Sequence, residues 1–233
     1  MALILSAVML ASCVTTILIA ASKDWSNPEL GSLSQYYETG TNADPGRIST
    51  VKEDSGGTSY GIYMFVEKTV KSFMDWLCQQ PSGTTYRAIG DKLYNAYAYN
   101  TSGQYYPGFG SNFKNIWQEI GRNNRTEFAQ AQKDFWESTQ YTQLIANVKS
   151  LFPGFDMSNY SIALQNVFWS RSVHHGVGVT SGAVKSSDGK SGATGVIYRA
   201  FNSLGGFKNQ SEAELIAAIY AECSRLDPSG KYK

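Results

Sequence analysis

Between Glu67 and Cys78 the apolar positions Val70, Phe73, Met74 and Leu77 recur every three or four residues, the period of a helix with one buried face. Pro81-Ser82-Gly83 stops it. The same period predicts a helix around Ala88–Tyr97 and another carrying Phe113, Ile116, Trp117 and Ile120, with Ser111 as a candidate cap. Thr126 is placed to cap a further helix through Phe128 and Phe135-Trp136 toward Leu144, Ile145 and Val148. Ser158 or Asn159 precedes one with Ile162, Leu164, Val167, Phe168 and Trp169, ending at His175-Gly176. Ser211-Glu212-Ala213-Glu214 has the form of a capping box opening a last helix to about Arg225, before Asp227-Pro228. Nearer the N-terminus, Leu30, Leu33 and Tyr36-Tyr37 predict a short helix stopped by Gly40.

Two stretches follow another rhythm. Arg47 to Val51 alternates as a strand does, Asp54-Ser55-Gly56-Gly57 has turn chemistry, and Ser59 to Phe65 reads as the returning strand. Residues 176–195, GVGVTSGAVKSSDGKSGATG, show no period and read as a long loop, either functional or mobile. With no internal repeat and no linker, the pattern predicts a mainly α (α+β) chain: one helical domain with one small β-hairpin.

The first 22 residues stand apart, because no charged side chain interrupts them before Lys23 and Asp24. That length of apolar chain can cross a bilayer or serve as a signal peptide. Leu10-Ala11-Ser12-Cys13 resembles a lipoprotein cleavage box, and the hydroxyls of Ser6, Ser12, Thr15 and Thr16 would suit a weak anchor. We therefore divide the chain into residues 1–22, a signal peptide or membrane anchor that can contact the membrane, and residues 23–233, the working domain. Export to the periplasm, cell envelope or medium follows from each of those readings; a buried N-terminal helix is the alternative to them.

Charge narrows the partners. Twenty basic against 19 acidic side chains, a net +1, exclude a strongly electrostatic nucleic-acid binder. Fifteen Tyr and five Trp are numerous for 233 residues; they suit either a packed core or a cleft whose rings stack on a sugar. Past the leader two cysteines remain, Cys78 and Cys223, which an oxidising compartment would allow to pair. Neither has the spacing of a zinc ligand, so no metal and no cofactor are expected. Four Asn-x-Ser/Thr sequons, at Asn100, Asn124, Asn159 and Asn209, matter only for a eukaryotic source.

The candidate chemistry lies around the hairpin. Glu38 ends the first predicted helix and Asp54 sits in the hairpin turn sixteen residues later. A helix end and a hairpin can set two carboxylates on opposite walls of a groove, as glycoside hydrolysis requires: one protonated acid, one ionised partner. Glu29, Glu53 and Glu67 are near enough in sequence that spacing alone does not select the pair. His174-His175 with Cys78 or Cys223 is the rival constellation, a thiol nucleophile. His175 before Gly176 also suits a helix C-terminus. The Gly-rich loop is no phosphate cradle, because no GxxxxGK[ST] pattern follows a strand.

Three blocks, in order, narrow this further: Leu33-Ser-Gln-Tyr-Tyr-Glu-Thr-Gly40 with Pro45 to Ser49 and Asp54 to Gly61; Ala163 to Gly176; and Glu214 to Glu222. Together they resemble the peptidoglycan muramidase domains of type VI secretion spike proteins and phage lytic proteins, within the lysozyme-like, chitosanase-related fold. The resemblance implies a glycoside hydrolase that cuts the N-acetylmuramic acid–N-acetylglucosamine bond, with Glu38 as general acid and Asp54 as the base that activates water. It implies substrate contacts at Tyr60, Gly61, Tyr63, Trp169 and His175, and peptidoglycan glycan strands as partner. An immunity or inhibitor protein is a partner on which the sequence is silent. A chitosan-type glycosidase and a non-catalytic glycan-binding module are the alternatives. The chain departs from the family pattern at Met64, where Gln is usual, at His174, where Gln is usual, and at Cys223, where a basic residue is usual.

Overall fold

A computed structural model describes residues 29–50, 57–97, 109–182 and 186–225. Its elements, in chain order, are α1 (Ser32–Thr39), β1 (Ile48–Thr50), β2 (Thr58–Tyr60), α2 (Glu67–Cys78), α3 (Thr85–Ala96), α4 (Gly110–Asn123) and α5 (Arg125–Phe135). A π turn (Trp136–Tyr141) joins α5 to α6 (Thr142–Leu151), and α7 (Ile162–His175), α8 (Gly192–Ser203) and α9 (Glu212–Cys223) follow. The domain is mainly helical with one two-stranded antiparallel hairpin, as the apolar pattern predicts.

The hairpin is pinned from below. Ile48 pairs with Tyr60, Ser49 with Ser59 and Thr50 with Thr58. Just before it, the Pro45 carbonyl accepts from Trp117 Nε1 and from Gln132 Nε2, both at 2.9 Å. The Gln132 carbonyl in turn accepts from the Ile62 amide at 2.9 Å. Gln132 is fully buried, so its two bonds are made without competition from water. Gly61, at φ +73, passes over this amide so closely that a Cβ there would lie 2.2 Å from the Gln132 oxygen. Gly46 meets Gly121 of α4 in the same way, a Cβ on Gly121 falling 2.3 Å from the Gly46 Cα.

Beneath the hairpin lies an aromatic core. Tyr60, Phe73, Phe113, Trp117 and Phe128 pack edge to face or tilted, with ring centroids 4.8–6.1 Å apart in the contacting pairs. A second cluster, Phe152, Phe155, Phe168, Phe201 and Phe207, fills the space around α7 and α8. Tyr63 packs on Trp169 of α7 with ring centroids 5.4 Å apart.

Several local expectations are corrected. The returning strand ends at Tyr60, because Gly61 (φ +73) and Met64 (φ +52) fold the chain into a turn that brings Phe65 back opposite Tyr60. Residues 192–203, part of the predicted loop and its sequel, form α8; its buried Ala193, Thr194 and Gly195 are small because the turn packs against loop backbone. Phe109 (φ +57), not Ser111, occupies the N-cap of α4, and α5 begins after Asn124, without a side-chain cap, rather than after Thr126. Ser161 caps α7, while Ser158 and Asn159 belong to a 3₁₀ turn. The capping box at Ser211 and Glu214 is present.

Cys78 and Cys223 are free, so the pairing that an oxidising compartment would allow is not made. Cys78 faces Asp91 at 4.0 Å, whereas Cys223 faces Arg171 and His175 on other helices. Cys13 and all of residues 1–22 lie outside the described residues. Among the described residues, no helix is long and apolar enough to cross a membrane.

Candidate active site

Glu38 owes its place to both ends of α1. At the N-terminal end, the Asn166 side chain of α7 accepts from the Gly31 amide at 2.9 Å and the Leu33 amide at 3.5 Å. Its nitrogen donates to the Glu29 carbonyl at 3.1 Å. One amide thus satisfies amides that α1 leaves without an intrahelical partner. Gly31, at φ +84, lets α1 close on α7; a Cβ there would stand 2.9 Å from the Trp169 ring. At the other end, Gly40 (φ +69) stops the helix and donates to Tyr36 O. Glu38 is therefore fixed in the last turn of α1, against α7.

The carboxyl of Glu38 is mostly covered, with 18% of the side chain exposed. Burial pushes its pKa above the ordinary value, and the charges of Arg47 and Arg171 oppose that shift without cancelling it. His174 Nε2 stands 3.4 Å from Glu38 Oε1 and is the more open of the two, at 45%. Burial, then the Arg171 charge, holds His174 below the usual imidazole range. An acid that keeps its proton to higher pH, beside a neutral imidazole, has the form a general acid needs.

Arg171 lies behind this pair, one turn before His175, and is 9% exposed. Its Nη1 donates to Cys223 Sγ at 3.2 Å and its Nη2 to Ser170 Oγ at 3.0 Å. The guanidinium carbon lies 5.2 Å from the Tyr220 ring centroid. Its Nε has no partner among the described residues. His175 Nε2 is 3.8 Å from Cys223 Sγ, and burial, followed by Arg171, His174 and Arg199, pushes its pKa down to about 4.

The structure thus brings Glu38, His174, His175, Arg171 and Cys223 into one cluster. Asp54, with Glu53, lies outside the described residues. Tyr60, Tyr63 and Trp169 are buried, with exposures of 0%, 1% and 0%, and their rings belong to the core. Their rings brace the core at positions where the resemblance places substrate contacts. Gly61 is buried in the turn against Gln132, so it shapes the hairpin. Reasoning from sequence missed Arg171, although its spacing of three residues from His174 puts both on one face of a helix.

The thiol rival is brought only half together. Cys223, the last residue of α9, reaches His175, whereas Cys78 stands apart on α2 beside Asp91. Among the described residues, no three His, Cys, Asp or Glu side chains gather as a metal cluster would.

The Gly-Ser stretch that follows α7 is tied down at both ends. Ala193 and Thr194 amides donate to the Gly176 and Val177 carbonyls at 2.8 and 3.0 Å. Asp188 accepts from the Lys190 amide at 3.0 Å and from Arg199 Nη1 at 3.1 Å, while Arg199 Nε donates to Glu222 at 2.5 Å. Gly178 and Gly192 touch so closely that a Cβ on Gly178 would fall 1.8 Å from the Ser191 oxygen. Residues 183–185 of this stretch lie outside the described residues.

The geometry is now joined by a likeness in sequence. Residues 30–229 match the model of the type VI secretion system spike protein VgrG3-like C-terminal family. The chain belongs to that family. The match runs from the start of α1 past the end of α9, so every element of the VgrG3-like fold described above falls within it. Membership of a secretion-spike family implies a secreted protein. No curated protein matches the chain.

Proposed function

We propose that this VgrG3-like domain is a peptidoglycan muramidase, a glycoside hydrolase cutting between N-acetylmuramic acid and N-acetylglucosamine. The observation that carries the reading is Glu38: a carboxyl set in the last turn of α1, largely desolvated and with its pKa raised by that burial. Glu38 would protonate the leaving glycosidic oxygen. Asp54, four residues beyond Thr50 at the end of β1, would stay ionised and activate water from the opposite face, giving inversion. His174 would border the acid, and Arg171 would limit how far its pKa rises.

Peptidoglycan glycan strands are the proposed partner, and residues 1–22 are the proposed leader or anchor. Chitosan is the neighbouring substrate, since the related fold serves both. The reading is tested by mass spectrometry of peptidoglycan digested with the purified protein. New reducing sugar ends support it. Free stem peptides would replace it with an amidase or peptidase, for which Cys223 and His175 are the residues to alter. No product at all would leave a glycan-binding module.

A further inference from the structure

Helices α1 and α7 run side by side and end together. Asn166 of α7 binds the start of α1 through the Gly31 and Leu33 amides, and His174, about two turns further on, meets the end of α1. Glu38 is the last residue but one of α1 and His174 the last but one of α7. Each helix is followed by a glycine of positive φ, Gly40 at +69 and Gly176 at +65. At the meeting point His174 Nε2 lies 3.4 Å from Glu38 Oε1. The negative ends of two helix dipoles therefore converge on a carboxyl and an imidazole, which favours a proton left there. A second proton is disfavoured, because positive charge is already present. Arg171, one turn before His174, bears on both groups, and Arg47, just before β1, bears on Glu38. Of the other ionisable neighbours, Cys223 and Tyr220 of α9 face Arg171, Cys223 also meets His175, and Arg199 of α8 bears on His175.

We propose that Glu38 and His174 hold a single proton between them, with His174 as the positioning residue that keeps the catalytic proton at the site. With the proton on Glu38, a neutral imidazole nitrogen faces the acid, and the acid is ready to donate. With the proton on His174, the same contact is an ion pair, and Glu38 cannot act as an acid until the proton returns. The exchange breaks the Glu38 O–H bond as the His174 N–H bond forms, so nothing enters or leaves the pair. Burial raises the proton affinity of Glu38 and lowers that of His174, bringing the two toward one another, which is the condition for sharing. His174 is 45% exposed against 18% for Glu38, so it is the member through which water replaces a proton given to the leaving oxygen.

The pair deepens the reading of Glu38 as general acid and rests on it for its kinetic arm; the first arm needs no substrate. The chain has two histidines, so His174→Gln assigns their ring signals by loss, and His175→Gln does so by the complementary loss. Both rings are titrated by NMR in the full chain and in Glu38→Gln protein. Sharing predicts that His174 takes up its proton about one pH unit higher in the wild type than in Glu38→Gln, whose neutral amide offers no charge to an imidazolium. His175, which meets Cys223 instead, should move less. In kcat/KM for peptidoglycan, His174→Gln should bring the alkaline limb down by about 0.3–1 pH unit, because the carboxyl then holds the proton alone. Melting should hardly change at so exposed a side chain, whereas a merely structural role would alter melting and leave the limb in place. Equal titration of His174 with and without the Glu38 carboxyl, or a limb unmoved by His174→Gln, would overturn the pair. If glycan is cut while His174 titrates independently of Glu38, the pair alone falls. If the titrations are coupled and no glycan is cut, the pair stands and the glycosidase reading falls.

Discussion

Tyr60 and Tyr37 are both tyrosines within two dozen residues of one another, and they have opposite fates. Tyr60 is wholly buried against Phe113 and Trp117 beneath the hairpin; Tyr37, next to Glu38 in the last turn of α1, is 42% exposed. The first region is dense, apolar and cross-braced by Gln132. The second is built from groups whose charges compete: Glu38, His174, His175, Arg171. The contrast separates rings that build the core from rings and acids left partly exposed at the surface, a distinction that residue type alone does not make.

The sharpest way to break the comparison is to cut the dense side. Phe73→Ala removes a fully buried ring touching Phe65, Trp117, Phe128 and Phe135, and should cost about 3–5 kcal/mol in urea denaturation. Tyr37→Ala, on the open side, should cost less than about 0.5 kcal/mol in the same experiment. Similar losses at both positions would erase the division.

Next in size is Gly61→Ala. The added Cβ would collide with the Gln132 amide and sit at a positive φ, so stability should fall by about 1–3 kcal/mol, with activity falling as the hairpin shifts. Gly83→Ala also has a positive φ (+83), but its Cβ would meet nothing within 4 Å. It should therefore cost less, and the difference between the two isolates the collision.

Smaller effects come from titration. Glu38 has a raised pKa when folded, so its favourable balance is complete below the unfolded carboxyl value and declines as pH rises through the folded one. Glu38→Gln should therefore melt slightly higher than the wild type at pH 7, with the gap closing below about pH 4. His175 runs the other way. Its folded value, near 4, is depressed, so its contribution is complete above about pH 6.5 and is lost as pH falls from there toward 4. His175→Gln should flatten the loss of melting temperature across that window.

How much of this was legible in the sequence follows the same division. Helix α2 runs from Glu67 to Cys78, as its spacing predicts, because four apolar side chains at helical intervals leave one way to bury them. The Gly40 stop and the Ser211 capping box were legible because they act through their own backbone. Helix α8 was not: Gly192 and Gly195 imitate a loop, and their smallness answers backbone approaches by Gly178 and Lys190 that only the folded chain reveals. Around the candidate acid, Glu38 and His175 were visible through resemblance, whereas the position of Arg171 behind them shows only once α1, α7 and α9 meet. Burial of Tyr60 was equally hidden, because alternation in so short a hairpin does not say which face is covered.

The most direct measurement of the central claim is the turnover of peptidoglycan by Glu38→Gln at pH 7, read from reducing ends, with melting recorded on the same protein. Gln keeps the shape and removes the transferable proton. The account predicts a fall in turnover of about 10²–10⁴ with folding intact or slightly improved. Near-normal digestion by a well-folded Glu38→Gln protein would contradict it.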